Sequence, residues 1–245
     1  MYRPSVALMF VVGVAIALPG LAFASASDCL VFGRAFDEQD VSGRILSGNI
    51  MLALNAVGIC VTASPLPGKR IEQALLHGEI DGEFVRVPSY LKRVGDVAVT
   101  VDEPVVEAVG LFVSLDPSIG SVRDLGTGML GILRGYVWQE ELASAHSRVA
   151  VANNSSQLAE MLLNRRVKAI LIDEYNLERF PKLEHAHRST VAELTAYVVL
   201  HKRKAALRGA IAEAVRFYKS AGCVFEKFRG GPACGLRNPP AAGNR

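Results

Sequence analysis

Several chemistries are missing from this sequence. It has no G-x-S-x-G elbow for a serine nucleophile, no H-E-x-x-H pair for a catalytic zinc, and no P-loop for nucleotide phosphates. No two cysteines stand in the close C-x-x-C spacing that zinc usually needs. Charge of one sign is scarce: 27 Lys and Arg against 24 Asp and Glu leave +3, too little to argue for nucleic acid. Beyond the first 26 residues no apolar run approaches the ~20 residues of a membrane span. There is no tandem repeat. His185-Ala186-His187 is an i,i+2 pair in a polar stretch, where histidines are solvated rather than bound to metal. No cofactor is implied.

What is present begins with an export signal. Arg3 supplies the positive start, and Val6 to Leu18 is an apolar core of signal-peptide length. Ala22-Phe23-Ala24 and Ala24-Ser25-Ala26 are both small-residue cleavage patterns. The rival reading, a membrane anchor, runs into Pro19-Gly20, which interrupts the apolar run early. Asp28 directly before Cys29 does not fit a lipoprotein box. We expect a cleaved signal peptide over 1–26 and a periplasmic mature chain.

The four cysteines, Cys29, Cys60, Cys223 and Cys234, form an even set in an exported chain, which points to two disulfides. Three connectivities are open. Cys29–Cys60 and Cys223–Cys234 are favoured, because the first would join two neighbouring strands and the second would pin the segment after the last helix.

Hydrophobic periodicity gives an alternation of strands and helices. Strands are expected at Cys29 to Gly33, Ile59 to Ala63, Ile80 to Val85 and Val97 to Val101, with helices at Arg44 to Val57 and Lys69 to His77. Pro65-Leu66-Pro67-Gly68 reads as a turn. Val109 to Ser114 reads as a separate strand leading out of this unit. A second alternation follows: strands at Met129 to Leu133, Arg148 to Ala152 and Lys168 to Ile172, helices at Tyr136 to Ser144 and Ser155 to Asn164. Glu178 to Thr190 reads as a partly helical excursion, Thr195 to His201 as a strand and Lys202 to Ala221 as one long helix. Alternation of this kind favours parallel sheets covered by helices.

Three short motifs carry a resemblance. They are Gly78-Glu79-Ile80-Asp81-Gly82; Ser121-Val122-Arg123-Asp124-Leu125 with Gly131-Ile132-Leu133-Arg134-Gly135; and Leu162 to Ala169. In their order and spacing the chain resembles solute-binding protein family 3, the type II periplasmic binding proteins best known for polar amino acids. The resemblance implies an α/β, two-lobed fold, each lobe a mostly parallel sheet with helices on both faces. It implies lobe one at 27–112 plus 196–235, lobe two at 115–193, and crossings near Val109–Asp116 and Ala192–Val199; the Gly-, Pro-, Ala- and Asn-rich composition of the C-terminus separately points to a flexible tail at 236–245. It also implies a monomer with a ligand in the cleft. The chain departs from the family pattern twice. The loop after the first strand offers only Phe36 for stacking, and Tyr90-x-x-Arg93 stands where the family's carboxylate clamp has Thr-x-x-Arg.

Ligands collect at the carboxyl ends of strands in open α/β sheets. That rule selects Glu83, Arg86, Arg134, Gly135, Asn154, Ser155 and Asp173. An arginine there can grip a carboxylate through parallel hydrogen bonds. The helix starting at Tyr136 would offer N–H groups to an anion, and Asp173 could hold an ammonium. The structural alternatives are ion pairs for Arg86, Arg93 and Arg134, helix caps for Asn154, Ser155 and Asp173, and core packing for Trp138. The reading is a binding protein for a small polar, anionic or zwitterionic solute, partnered by an ABC permease or a membrane sensor. The rivals are a cyclohexadienyl- or prephenate-type dehydratase on the same scaffold, and an envelope accessory protein that has lost ligand binding.

Overall fold

Leu30 and Phe32 alternate inward along the first strand, β1 (Leu30–Ala35), and set the plane on which the rest is built. The computed structural model describes residues 29–35, 41–227, 231 and 234–236. Residues 1–28, over which the signal peptide is expected, Phe36 and residues 237–245 lie outside the described residues. In chain order β1 is followed by α1 (Val41–Ala56), β2 (Val61–Leu66), α2 (Gly68–Leu76), β3 (Gly82–Arg86), α3 (Leu91–Val94) and β4 (Ala98–Ser114). The second run is β5 (Leu130–Leu133), α4 (Val137–Ala143), β6 (Val149–Ala152), α5 (Ser155–Leu163), β7 (Ala169–Asp173) and α6 (Glu174–Leu177). β8 (His187–His201) and α7 (Arg208–Ser220) complete the described elements.

The strand order is β2-β1-β3-β8-β4-β7-β5-β6. β1, β2 and β3 are parallel, as are β5, β6 and β7. Between these groups lie the two long strands β4 and β8, antiparallel to each other. Both lobes therefore share one hydrogen-bonded sheet. β4 is antiparallel to β7, with Leu111 opposite Ile172, and β8 is antiparallel to β3, with Gly82 opposite Leu200. Gly82 is needed at that crossing: a Cβ there would lie 2.5 Å from the Val199 carbonyl oxygen.

Alternation along the shared strands fills four cores. Val198 and Leu200 face α1 and α7, whereas Val199 faces α2 and Tyr90. Leu111 and Val113 face α5, whereas Phe112 packs with Trp138 of α4. Each lobe thus carries helices on both faces. The disulfides are Cys29–Cys60, whose Cα atoms are 4.7 Å apart, and Cys223–Cys234, at 4.2 Å.

Several element boundaries differ from the sequence reading. Pro65 and Leu66 belong to β2 and not to a turn; β2 is an edge strand, where a missing N–H costs nothing. Val97 to Val101 and Val109 to Ser114 are parts of one strand, β4. Pro104 interrupts its ladder, and the chain absorbs the break as register shifts on both sides of that residue. β8 begins at His187, eight residues before Thr195, because pairing with β4 holds a polar stretch that burial would not. Lys202–Leu207 is a 3-10 segment, with α-helix only from Arg208. In that segment Arg203 is drawn onto Asp81 at 3.0 Å and onto the carbonyls of Gly78 and Ile80.

Candidate functional site

The end of β3, next to the crossing strand β8, builds the first wall of the site. Glu83 is 1% exposed. Pro88 opens a 3-10 turn, Pro88–Tyr90, that returns the Tyr90 ring over β3, and its hydroxyl donates to Glu83 Oε1. Arg86 Nε donates to Glu83 Oε2 at 2.5 Å, and the guanidinium lies 4.7 Å from the Tyr90 ring centre. Burial works against the Arg86 charge, but Glu83 beside it prevails and holds the guanidinium protonated. Burial and the Glu83 charge push the Tyr90 hydroxyl far above its ordinary range. The cluster fixes Arg86 in place: Glu83 holds one edge of the guanidinium, the Tyr90 ring lies against its face, and the bond to Glu83 uses Nε, not the terminal nitrogens.

Arg86 lines a cavity of about 560 Å³ between the lobes. Lobe one contributes the ends of β1 and β3 and the first turns of α1. The crossing strands contribute Val106, Ala108, Leu194 and Ala196. Lobe two contributes Gly135 to Trp138 and Asp173, Tyr175 and Asn176. Glu226 and Lys227, from the segment after α7, close one side. Trp138 packs on the backbone of Gly110, where a Cβ would lie 2.8 Å from the indole, and it also lines a second hollow behind the crossing strands.

Among the sequence-selected residues, the structure brings Glu83, Arg86, Gly135 and Asp173 to this cavity, with Tyr90 directly behind Glu83. Asp173 is the N-cap of α6, accepting from the Asn176 N–H at 2.9 Å and from Asn176 Nδ2 at 2.8 Å.

Arg93, Arg134, Asn154 and Ser155 are not brought to the cavity. Arg93 pairs with Glu140 and lies 3.9 Å from Glu72. Arg134 turns outward and donates to Asn153 Oδ1 at 3.1 Å. Asn154 caps α5 by accepting from the Gln157 N–H at 2.8 Å, and Ser155 is buried in the first turn of that helix. The expected anion site at the start of α4 also changes character: the Gly135 N–H donates to Glu140 Oε1 at 3.1 Å, so the protein's own carboxylate occupies it. Glu140 thereby ties α4 of lobe two to Arg93 of lobe one. On the other rim Arg179 donates to Ser42 Oγ at 3.2 Å, and Lys227 lies 3.6 Å from Glu178.

No family model matches the sequence, and no curated protein matches it. Solved structures do match in fold. A histidine kinase sensor domain described as similar to periplasmic binding proteins superposes with a TM-score of 0.66 at 15% identity, covering 80% of this chain and 92% of that one. The chain has the two-lobed periplasmic binding protein fold. An ancestral amino-acid-binding protein, described as a precursor of cyclohexadienyl dehydratase, gives 0.65 at 16% identity, covering 82% and 93%. An amino acid ABC transporter substrate-binding protein from Streptococcus pneumoniae, bound to L-arginine, gives 0.61 at 18% identity, covering 82% and 92%.

Sequence reasoning passed over Tyr175, Asn176, Glu140 and Glu226. Asn176 sits three residues after Asp173, the spacing at which a capped N–H and its side chain return to the cap. That signal was readable. Glu226 carries no motif; the only hint was the Cys223–Cys234 pair, which holds its segment against the lobe.

Proposed function

We propose that this chain is an exported solute-binding protein that closes on a small zwitterionic, amino-acid-like solute between lobes divided as 27–112 plus 196–235 and 115–193. Arg86 would grip the carboxylate through its terminal nitrogens, and Asp173 would take the ammonium. The observation that carries this reading is the Glu83–Arg86–Tyr90 cluster: a buried carboxylate and a phenol orient one arginine on the wall of an inter-lobe cavity. A preoriented guanidinium loses little freedom on binding, so more of its hydrogen bonding appears as affinity. Ligand-driven closure then requires only that the closed form bind better than the open one. The closed form would be read by an ABC permease or a membrane sensor, the two roles named among the matching structures.

A thermal-shift and calorimetric screen of amino acids, organic acids and polyamines tests the reading. A ligand at 100 times its Kd should raise stability by about 2.7 kcal/mol. Arg86→Lys keeps the charge but loses the planar fork, and should weaken binding by at least about tenfold, the worth of one charge-assisted hydrogen bond. Asp173→Asn keeps the cap and removes the charge, with a similar loss expected. If both variants bind like wild type, the assignment is wrong. The dehydratase reading is favoured by the precursor of cyclohexadienyl dehydratase among the matches and by the buried Glu83. Turnover of a cyclohexadienyl acid by purified protein would establish it.

A further inference from the structure

The register of the crossing strands places an apolar wall between the two charged ends of the cavity. On the sheet Arg86 pairs with Tyr197 of β8, which stands opposite Pro104 of β4. Asp173 pairs with Gly110 of β4, which stands opposite Ala192 of β8. Between these two levels Val106 is opposite Ala196, and Ala108 is opposite Leu194. Residues two apart on a strand share a face of the sheet with the residues directly opposite them. The four therefore form one continuous aliphatic patch, and all four line the cavity.

The residues that alternate with them are polar. Glu107 stands opposite Thr195, and Glu193 follows on β8 opposite Val109. Glu193 and Thr195 line the hollow behind the ribbon, Glu107 is exposed, and none of the three lines the cavity. A slip of one residue would turn this polar set inward. Register, and not composition, keeps the cavity face of the ribbon apolar.

Size alternates on the same patch. Ala196 and Ala108 lie on one diagonal, Val106 and Leu194 on the other, so the small residues leave a trough between the larger ones. The next position on this face, Gly110, is already covered by the Trp138 indole. Ile45 and Leu46 of α1 add further apolar lining from lobe one. The polar groups of the lining are engaged elsewhere: the Tyr175 hydroxyl donates to the Glu107 carbonyl at 3.2 Å, Arg179 donates to Ser42, and Lys227 pairs with Glu178. Glu226 comes from the segment that closes one side, not from the ribbon. A polar side chain laid on the patch loses water and finds no partner there, whereas an apolar one gains from leaving water.

We infer that Val106, Ala108, Leu194 and Ala196 form the subsite for the ligand's side chain, so that the pocket selects amino acids with a branched-alkyl or aryl side chain over those with a polar or charged one. This rests on the amino-acid reading above and adds the class of solute to it. The charged head group stays with Arg86 and Asp173, and the body of the ligand lies on the ribbon.

The test is calorimetry of L-leucine, L-phenylalanine, L-glutamine, L-glutamate and L-arginine on the full mature chain and on two variants. Wild type should bind leucine or phenylalanine at least about tenfold more tightly than any of the other three, the worth of burying one apolar side chain. Val106→Thr keeps the shape and sets a hydroxyl on the patch, and should cut that preference by roughly fivefold. Ala108→Leu fills the trough and should weaken the preferred ligand by at least about tenfold. Circular dichroism confirms that each variant is folded; if Ala108→Leu is not, the near-isosteric Val106→Thr decides. Wild type that binds glutamine, glutamate or arginine as tightly as leucine and phenylalanine overturns the subsite and leaves the amino-acid reading intact. So does a folded variant that keeps the full preference and affinity. Wild type that binds none of the five overturns both.

Discussion

Inner and outer strands of the shared sheet end in similar residues but do different work. β1 and β3 on one side, and β7 and β5 on the other, flank the crossing strands, and the ends of all four line the cavity. β2 and β6 are the sheet edges and contribute no lining residue. Arg86 and Arg134 add a second rule. Both stand at the carboxyl end of an inner strand. Arg86 ends β3, beside β8, and is clamped by Glu83. Arg134 follows β5 but donates to Asn153, which follows the edge strand β6, and is absent from the cavity lining. Strand order selects which strand ends reach the cleft, and the local partner decides which arginine faces it.

The largest test of this contrast is Glu83→Ala. It leaves the half-buried Arg86 guanidinium without its counter-charge and the buried Tyr90 hydroxyl without its acceptor, and should cost roughly 1–3 kcal/mol. Urea unfolding measures it, and a loss below about 1 kcal/mol would show that the inner cluster is no more tightly held than an exposed ion pair. On the edge side, Asn154→Ala removes the cap of α5 and should cost about 1 kcal/mol. Ligand affinity should stay within about twofold, since Asn154 is absent from the cavity lining. A tenfold fall in affinity would put the edge strand back into the site.

The smallest effects are in pH dependence, where two acids of lobe one act in opposite senses. Burial opposes ionisation of Asp81, yet the Val31 N–H and the charges of Arg203 and Lys204 outweigh it and hold its carboxyl below 3.8. Its contribution is therefore present above that pH and lost as pH falls through the lowered value. Arg203→Gln should move the acid limb of the stability curve upward. Glu226 is raised above 4.5 by burial, so the stability of its protonated form is lost as pH rises through the raised value. Glu226→Gln should flatten that limb. Thermal melts across pH 2–8 read both; an unchanged acid limb in Arg203→Gln would remove Asp81 from the account.

Much of this architecture was legible because local rules and the fold agree. Leu46, Ile50 and Ala53 announce α1 by spacing alone, and Gly78 ends α2 with a φ of +69°. The Cys29–Cys60 pair followed from the adjacency of two strands. The continuity of β4 was hidden, because Asp102-Glu103-Pro104 reads as a break and only the partner strand carries the ladder past it. Arg86 and Arg93 could not be told apart as ligands. Their difference lies in Glu140, 47 residues away in sequence, which engages one and not the other. Asn176 and Glu226 depend on a cavity whose walls come from both lobes and the C-terminal segment, a relation that no local pattern encodes.

β4 and β8 stay paired from Ala98 opposite His201 to Ser114 opposite His187. The lobes therefore hang from a ribbon and not from two independent loops. Two-stranded ribbons take up more twist than wider sheets. Whatever one lobe does relative to the other is transmitted through this ribbon, whose ladder shifts register around Pro104 and again between Gly110 and Leu111. The lone indole of Trp138, seated on Gly110, lies beside the second shift as a built-in optical probe.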